Sequence, residues 1–225
     1  MEKLHAFYWP GDIENFYPGH QFSEIFKERI YAPYLEHRKD AVVIDLGANL
    51  GIFSLYAAKY SKQVYAIEPD PELFDCIIKM LETNELTNVK AIRSAIFIDN
   101  ATYDFWRNSN RTMGSLHQAV RDPKFPPIKV PAVTLDKLFE DENIDHVDLL
   151  KIDIEGSEVE VISSAGFAKV ADKIDVVIGE THDWSGRNPN QIIDAFKQNG
   201  FIVESIPADA HIFVAKKPQS VGVKV

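Results

Sequence analysis

Short, uninterrupted apolar runs alternate with segments of helical periodicity from residue 41 onward. Runs such as Val42–Ile44 are rich in β-branched residues, which is typical of strands buried on both faces of a parallel sheet. Segments such as 52–60 repeat apolar residues every three or four positions, which predicts the helical crossovers that parallel strands require. The pattern therefore predicts a doubly wound α/β fold with a mostly parallel, seven-stranded sheet. The predicted strands span residues 41–46, 63–67, 89–94, 147–152, 174–179, 201–205 and 210–215, and the predicted helices span 52–60, 71–84, 134–140, 158–164 and 189–199.

Two regions interrupt this alternation. Residues 99–131 contain two strand-like pieces, TYDFW and IKVPAV, around a polar segment, so we predict a hairpin insertion in place of a crossover helix. Residues 1–40 have no strand pattern but are rich in aromatic side chains, and a helix is predicted over their later part. We expect this N-terminal segment to cover the ligand crevice, the alternative being plain packing against the flank of the sheet. The predicted domain spans residues 41–217, and the tail 218–225 is expected to fray.

The first strand runs directly into the loop Asp-Leu-Gly-Ala-Asn-Leu-Gly. Gly47 and Gly51 permit a tight turn and a close approach of a ligand to the backbone, and the helix behind them begins with unpaired N–H groups. The alternative is a glycine turn that only packs the helix on the sheet. Asn49 replaces the second glycine of a dinucleotide-binding G-x-G-x-x-G fingerprint, and no Gly-Lys-Ser or Gly-Lys-Thr of a phosphate loop follows. We therefore predict a different ligand, whose cationic amino group Asp45 faces directly or through water.

A second acid, Glu68, stands at the end of the next strand, in the segment AIEPDPELF. Ligands of open α/β sheets bind outside the carboxyl ends of the strands, and a carboxylate can accept two hydrogen bonds from a vicinal diol. Glu68 is therefore predicted to bind the two hydroxyls of a ribose. The alternative is that Glu68 is an acid favoured by the dipole of the following helix, although Asp70 and Pro71 already provide a cap and a first helical residue.

The chain contains, in this order, the segments VVIDLGANLGIFSL, VYAIEPDPELF, SAI, VTLDKL and LLKIDIEGSEVEVI. Their joint order resembles the FkbM-type branch of the class I S-adenosylmethionine-dependent methyltransferases, over roughly Ala41 to Lys216. The resemblance implies a Rossmann-like fold, S-adenosylmethionine as the cofactor, and an adenine that lies near Ser94 and Ala95. The predicted cofactor-binding residues are Asp45, Gly47, Ala48, Asn49, Glu68, Pro69, Ser94, Ala95 and Asp153.

The segment LLKIDIEGSEVEVI carries the densest candidate chemistry. Its apolar residues predict a buried strand that ends in Asp153, and Glu155 follows in the loop. The resemblance implies that this loop lies beside the methionine end of the cofactor and the acceptor substrate. Ser157 is expected to cap the next helix, Glu158 is expected to be a first-turn acid, and Glu160 is expected to lie on a solvated face. Lys151 is either functional or a buried residue paired with an acid.

The strand in DVVIGETH delivers Glu180 and His182 to the same edge of the sheet. An acid and an imidazole at this position form a candidate acceptor-binding or proton-accepting pair. With Asp153 they could also hold a divalent ion, but the spacing is not diagnostic and no metal is predicted. If His182 accepts the proton, the rate should rise with pH through a value near the usual imidazole pKa of about 6.5, shifted by its acidic neighbours. The predicted catalytic residues are His182, Asp153, Glu155 and Glu180.

The charge balance limits the possible binding partners, and the cysteine count limits the possible disulfides, zinc sites and cellular compartment. Lys and Arg number 24 against 34 Asp and Glu, a net charge of −10, and no basic stripe suited to a phosphate backbone is present, so nucleic acid is not expected. The single cysteine, Cys76, cannot build a disulfide framework or a cysteine zinc site, and it fits a reducing cytoplasm. No apolar run reaches about 18 residues and no secretion signal opens the chain, so neither a membrane span nor export is expected.

The sequence therefore predicts a cytoplasmic S-adenosylmethionine-dependent methyltransferase that acts on an oxygen of a small molecule or a glycan. Methylation of nitrogen is an alternative, as is a non-catalytic binding module built on the same fold. An NAD-dependent oxidoreductase is disfavoured because Asn49 interrupts the glycine pattern. The sequence predicts no particular oligomeric state.

Overall fold

The computed structural model of the 225-residue chain describes residue 25 and residues 29–108, 113–118, 122–182, 189–205 and 212–218. Within these ranges the strands form one seven-stranded sheet and one three-stranded sheet. The strands are β1 (Ala41–Leu46), β2 (Ser61–Ile67), β3 (Val89–Ile92), β4 (Ala95–Ile96), β5 (Ala101–Phe105), β6 (Ile128–Val133), β7 (Val147–Ile152), β8 (Ile174–Glu180), β9 (Ile202–Ser205) and β10 (Ile212–Lys216). The helices are α1 (Ala32–Leu35), α2 (Ile52–Ala57), α3 (Pro71–Thr83), α4 (Leu135–Asp141), α5 (Glu158–Ile162), α6 (Ala165–Val170) and α7 (Pro189–Gln198).

The larger sheet has the strand order β3-β2-β1-β7-β8-β10-β9. β1 is parallel to β2 on one side and to β7 on the other, and β7 is parallel to β8, whereas β10 runs antiparallel to both of its neighbours. The chain builds outward from β1 in one direction and then returns to its other side, so a topological switch point lies at the carboxyl ends of β1 and β7. This confirms the predicted doubly wound, mostly parallel, seven-stranded sheet.

The apolar runs of the central strands are explained by burial on both faces of the sheet. Val43 and Ile44 are adjacent in β1 and are both fully buried, but they belong to different hydrophobic clusters on opposite sides. Leu149 and Leu150 divide in the same way in β7. Because a strand that is covered on both faces has no solvated side, the sequence shows no alternation of apolar and polar residues there.

The insertion at residues 99–131 contains the predicted hairpin. β5 pairs antiparallel with β6, and the short strand β4 adds to the other edge of β6 to complete the three-stranded sheet. The sequence predicted one strand over 89–94, but the structure ends β3 at Ile92 and begins β4 at Ala95. Ser94 lies at this break, where its hydroxyl donates to the carbonyls of Ala95 and Pro131. These bonds direct the chain out of the larger sheet.

The helix α6 was not predicted. Gly166 weakens the helical pattern of its short sequence, AGFAKV, because glycine is a poor helix former. The glycine is required by packing, since a Cβ at this position would lie 2.8 Å from the Asp136 carboxylate on α4. Ser164 provides the local start signal, because its hydroxyl accepts a hydrogen bond from Phe167 N at 3.1 Å.

The predicted N-terminal cover falls mostly outside the described residues, since only residue 25 and residues from 29 onward are described. The described part forms the four-residue helix α1 and packs on α2, where the rings of Tyr31 and Phe53 lie 4.4 Å apart. The expectation that the segment encloses an acceptor therefore stays a prediction. Cys76 is buried with a free thiol, and none of the described helices has the length and apolar character needed to cross a membrane.

Candidate active site

A cleft opens at the carboxyl ends of β1, β2 and β7, on the switch point of the sheet. It encloses about 570 Å³ of space free of atoms, its open mouth included. The backbone loops that follow the three strands form its floor, and the three-stranded sheet adds an apolar wall. The lining residues are Gly47, Asn49, Ile67, Glu68, Pro69, Leu73, Ser94, Ala95, Ile96, Phe105, Gly114, Leu116, Asp153, Ile154, Glu155 and Ser157.

The glycine loop after β1 reaches the cleft through Gly47, whereas Gly51 serves packing. Gly47 has φ +75°, and a Cβ there would lie 1.8 Å from the carbonyl oxygen of Asp153, so a side chain would push the β1 and β7 loops apart. Gly51 also has a positive φ and stands at the start of α2, where a Cβ would lie 2.6 Å from Met80 Cε. Ala48 is buried and does not line the cleft.

The structure corrects the predicted role of Asp45. Its side chain is fully buried, accepts a hydrogen bond from the Ser54 hydroxyl at 2.7 Å and lies 3.1 Å from Lys151 Nζ. It does not line the cleft, so the cation that it faces is the chain's own lysine rather than the amino group of a ligand. Asp45 and Lys151 are direct neighbours in the register of β1 and β7. The sequence could not show this pairing because the two residues are far apart along the chain.

Lys151 connects the two central loops of the site. Its ammonium group donates to the carbonyl of Gly47 at 2.8 Å and lies 3.6 Å from the Asp153 carboxylate. Burial opposes its charge, but Asp45 and Asp153 outweigh that effect and hold the pKa of Lys151 above its usual value. The ammonium group is therefore charged, and the paired, buried interpretation of Lys151 is the one that the geometry supports.

Glu68 lies at the end of β2 and lines the cleft. One carboxylate oxygen accepts from Asn49 N and the other from Asp70 N, each at 2.8 Å. Burial raises the pKa of Glu68 to about 8, although the two backbone N–H groups oppose this shift. Asp70 and Pro71 take the predicted cap and first-turn positions of α3, so the helix start does not require Glu68. Each oxygen keeps a lone pair that a ligand hydroxyl can use.

The insertion and the β3–β4 bend form the opposite wall. Pro69, Ser94 and Ala95 line the cleft as the resemblance implied, and Phe105 and Leu116 lie with them. The hydroxyl of Ser94 is occupied by two backbone carbonyls, so this wall offers a ligand mainly apolar surface and backbone groups.

The acidic loop after β7 is fixed by a residue whose role was not predicted. Glu158 is 2% exposed, and its carboxylate accepts from Ile154 N at 2.9 Å and from Gly156 N at 3.0 Å. Glu158 lies in the first turn of α5 as expected, but its side chain is turned back under its own loop. Ser157 is 1% exposed, makes no side-chain capping bond, and its hydroxyl has no partner among the described residues, so its predicted capping role was wrong.

His182 lies behind the acids of the cleft rather than in its lining. Nδ1 is 3.1 Å from Glu158, and Nε2 is 3.3 Å from Glu155 and 3.8 Å from Asp153. Burial opposes protonation, but these carboxylates outweigh it and raise the pKa of His182 to about 10. The ring is therefore cationic at neutral pH, since its acidic neighbours shift the pKa upward by a large amount, and this disfavours His182 as the proton acceptor.

Glu155 is a cleft acid whose pKa is shifted toward the range that suits proton transfer. Burial and the neighbouring Asp153 raise the pKa of Glu155 above its usual value, whereas His182 opposes the shift. Metal-ligating atoms of Asp153, Glu155 and His182 lie within 4.8 Å of one another, so this set replaces the sequence-based grouping that contained Glu180. Glu180 ends β8 and does not line the cleft, and the prediction that no metal is needed stays a prediction.

A cleft at the switch point of a sheet with this strand order is the architecture of a class I methyltransferase. A Streptococcus mutans protein solved in complex with SAH shares the fold, with a TM-score of 0.54 at 10% identity over 85% of this chain and 97% of that chain. Residues 45–203 match the methyltransferase FkbM domain, and the chain belongs to the FkbM family. The family and the Rossmann-like fold that the sequence predicted are confirmed.

Two curated relatives are similar over most of their length. The methyltransferase sdnD of Sordaria araneosa is 27% identical over 211 residues, which cover 80% of each chain. The 31-O-demethyl-FK506 methyltransferase FkbM of Streptomyces tacrolimicus is 26% identical over 212 residues, which cover 81% of each chain.

Proposed function

We propose that the chain is an S-adenosylmethionine-dependent methyltransferase that methylates a hydroxyl group of a small molecule. The observation that carries the proposal is the junction of Glu68, Gly47 and the acidic 153–155 loop in one cleft at the switch point. Family membership supports methyl transfer, and the Streptomyces relative, named as a 31-O-demethyl-FK506 methyltransferase, supports an oxygen acceptor. A glycan hydroxyl or an amine are the alternative acceptors.

The cleft fits this cofactor in its charge and hydrogen bonding. Glu68 offers oxygens to a ribose diol beside the apolar wall of Phe105 and Leu116, which suits an adenine ring. Asp153 and Glu155 place negative charge at the other end, which suits a sulfonium and an ammonium group. The buried, unpartnered hydroxyl of Ser157 is a polar group that a bound ligand would satisfy. S-adenosylmethionine would supply an activated methyl group there.

The chain's own contribution is to place the acceptor and to take its proton. A hydroxyl acceptor must lose a proton as its oxygen is methylated, and a base is most effective when its pKa is near the working pH. Glu155 lines the cleft with a raised pKa, so we assign it the general base role. The cationic ring of His182 lies behind Glu155 and Asp153 and orients their carboxylates, which makes it a positioning residue in this proposal.

The test is transfer of a labelled methyl group from S-adenosylmethionine to a panel of hydroxylated metabolites, oligosaccharides and amines, with product identification by mass spectrometry. We expect label on oxygen, and we expect Glu68→Ala to lower the affinity for the cofactor. Label on nitrogen would replace the acceptor part of the proposal. Binding of SAH without transfer to any acceptor would favour a non-catalytic module, and binding of NADH without SAH would contradict the cofactor.

A further inference from the structure

Glu158 is a buried acid that the reaction proposed above does not use directly. It is 2% exposed and is not among the residues that line the cleft. A carboxylate at the first turn of a helix normally remains in water, because burial of an unpaired charge is costly. The burial of Glu158 is offset by its contacts with two backbone N–H groups and one imidazole.

The first contacts of Glu158 fix an unusual stretch of backbone. Glu155 has φ +54° and Gly156 has φ +98°, so the chain takes two consecutive left-handed positions in the loop that follows β7. A non-glycine residue at such a φ is uncommon and needs support from its surroundings. Glu158 accepts N–H bonds from Ile154 and Gly156, on both sides of Glu155. These bonds therefore set where the Glu155 side chain leaves the backbone.

The third contact of Glu158 fixes the ring behind the cleft. Nδ1 of His182 lies 3.1 Å from Glu158, which leaves Nε2 facing Glu155 and Asp153 at 3.3 and 3.8 Å. One carboxylate thus orients both the backbone of Glu155 and the cation beside its carboxylate. A second support comes from the insertion, where the Ser115 hydroxyl donates to the Glu155 carbonyl.

We propose that Glu158 is a positioning residue for methyl transfer, which holds Glu155 and His182 in register with the acceptor without touching either ligand. The inference rests on the proposed function, because it assigns Glu158 to the transfer half of the same site. It predicts that Glu158 affects the rate of transfer and not the affinity for the cofactor, since Glu68 and the apolar wall lie on other strands.

The test compares Glu158→Gln with Glu160→Gln in the full chain. Glu160 lies on the same helix and loses the same charge, and its carboxylate lies 3.9 Å from His117 Nε2 on the insertion. Glu158→Gln should lower kcat about 10- to 100-fold, as expected for a displaced catalytic group. The dissociation constant of SAH should stay within about threefold, and the amides of Ile154 and Gly156 should exchange with solvent at least about tenfold faster. Glu160→Gln should leave all three quantities unchanged.

The outcomes separate this inference from the proposed function. An unchanged kcat, or a fall in kcat matched by an equal loss of SAH affinity, would overturn the positioning role while methyl transfer by the wild type still stands. If the wild type transfers a methyl group to no acceptor, the proposed function fails. Amide exchange at Ile154 and Gly156 then decides whether Glu158 holds the loop, and unchanged exchange in Glu158→Gln would overturn this role too. Should Glu158→Gln not fold, Glu158→Asp keeps the charge but withdraws the carboxylate by one methylene from all three contacts, and it should show the same split between kcat and SAH affinity; an unchanged kcat would overturn the positioning role.

Discussion

Each half of the cleft has a buried glutamate that binds two backbone N–H groups, but only one of the two glutamates lines the cleft. In the β2 half, Glu68 is 4% exposed and binds the N–H groups of Asn49 and Asp70; in the β7 half, Glu158 is 2% exposed and binds those of Ile154 and Gly156. Glu68 lines the cleft, whereas Glu158 turns away from it toward His182. A buried acid can therefore serve as a ligand group and a loop support at once, or it can support a loop whose other acids face the ligand.

The largest effect is expected at the cleft acid of the β7 half. Glu155→Gln keeps the shape of the side chain but cannot accept a proton, so the rate of transfer to a hydroxyl should fall about 10²- to 10⁴-fold. The dissociation constant of SAH should stay within about threefold. Single-turnover rates and calorimetric titrations measure the two quantities. A normal rate would give the proton to Asp153 or to solvent and would remove the functional contrast between the halves.

The β2 half should respond in the opposite sense. Glu68→Ala removes oxygens that we expect to accept from the ribose diol, so at a pH above the Glu68 pKa of about 8 the SAH affinity should fall by roughly 1.5–3 kcal/mol for each charge-assisted bond lost. A control uses SAH that lacks the ribose 2′-hydroxyl: the wild type should bind it more weakly than SAH, and Glu68→Ala should not distinguish the two. If Glu68→Ala weakens the binding of both ligands equally, so that their affinity ratio is the same in the variant and the wild type, Glu68 supports the loop and does not bind the ribose.

A pH series on stability should sharpen the contrast further. The pKa of His182 is raised to about 10 from an ordinary 6.5, so its contacts with Asp153, Glu155 and Glu158 contribute stability that is fully present below about pH 6.5 and is lost as the pH rises through 10. The difference in unfolding free energy between the wild type and His182→Gln should therefore shrink from pH 6.5 to pH 10 in urea titrations. A difference that grows with pH would show that the ring is neutral in the folded protein.

The smallest effects are expected at two serines that precede neighbouring helices. Ser164 caps α6 through Phe167 N, so Ser164→Ala should destabilise the chain by about 1 kcal/mol and leave SAH affinity unchanged. Ser157 makes no capping bond and lines the cleft, so Ser157→Ala should not lower the melting temperature but should weaken binding of SAH or of the acceptor. A melting temperature that falls equally in both variants would remove the distinction.

Local signals in the sequence predicted one half of the site better than the other. The cap at Asp70 and the first-turn Pro71 are adjacent to Glu68, so the sequence alone left Glu68 available for a ligand, and the structure places it in the cleft. The burial of Glu158 depends on His182, which arrives on another strand. Asp45 was misassigned for the same reason, since its partner Lys151 becomes a neighbour only when β1 and β7 pair.

The fold shows the same division between local and distant causes. Strands that are apolar throughout predicted the doubly wound sheet, because burial on both faces leaves a mark in every residue of the strand. The helix α6 was missed because Gly166 is favoured there by close packing against Asp136, although glycine is a poor helix former. The sequence indicated that acidic neighbours shift the pKa of His182, but not how far, because the three carboxylates that surround it come from one loop and one helix.

The contact between Gly47 and Asp153 fixes the distance between the two central loops of the site. Asp153 N also donates to the carbonyl of Leu46 at 3.1 Å, so the two central loops touch backbone to backbone, and Lys151 joins them through the Gly47 carbonyl. Substitutions elsewhere in the cleft can change its walls without changing that distance. We therefore expect new acceptors to be accommodated by changes in the surface that the insertion supplies. Any side chain at Gly47, in contrast, should prevent transfer to every acceptor.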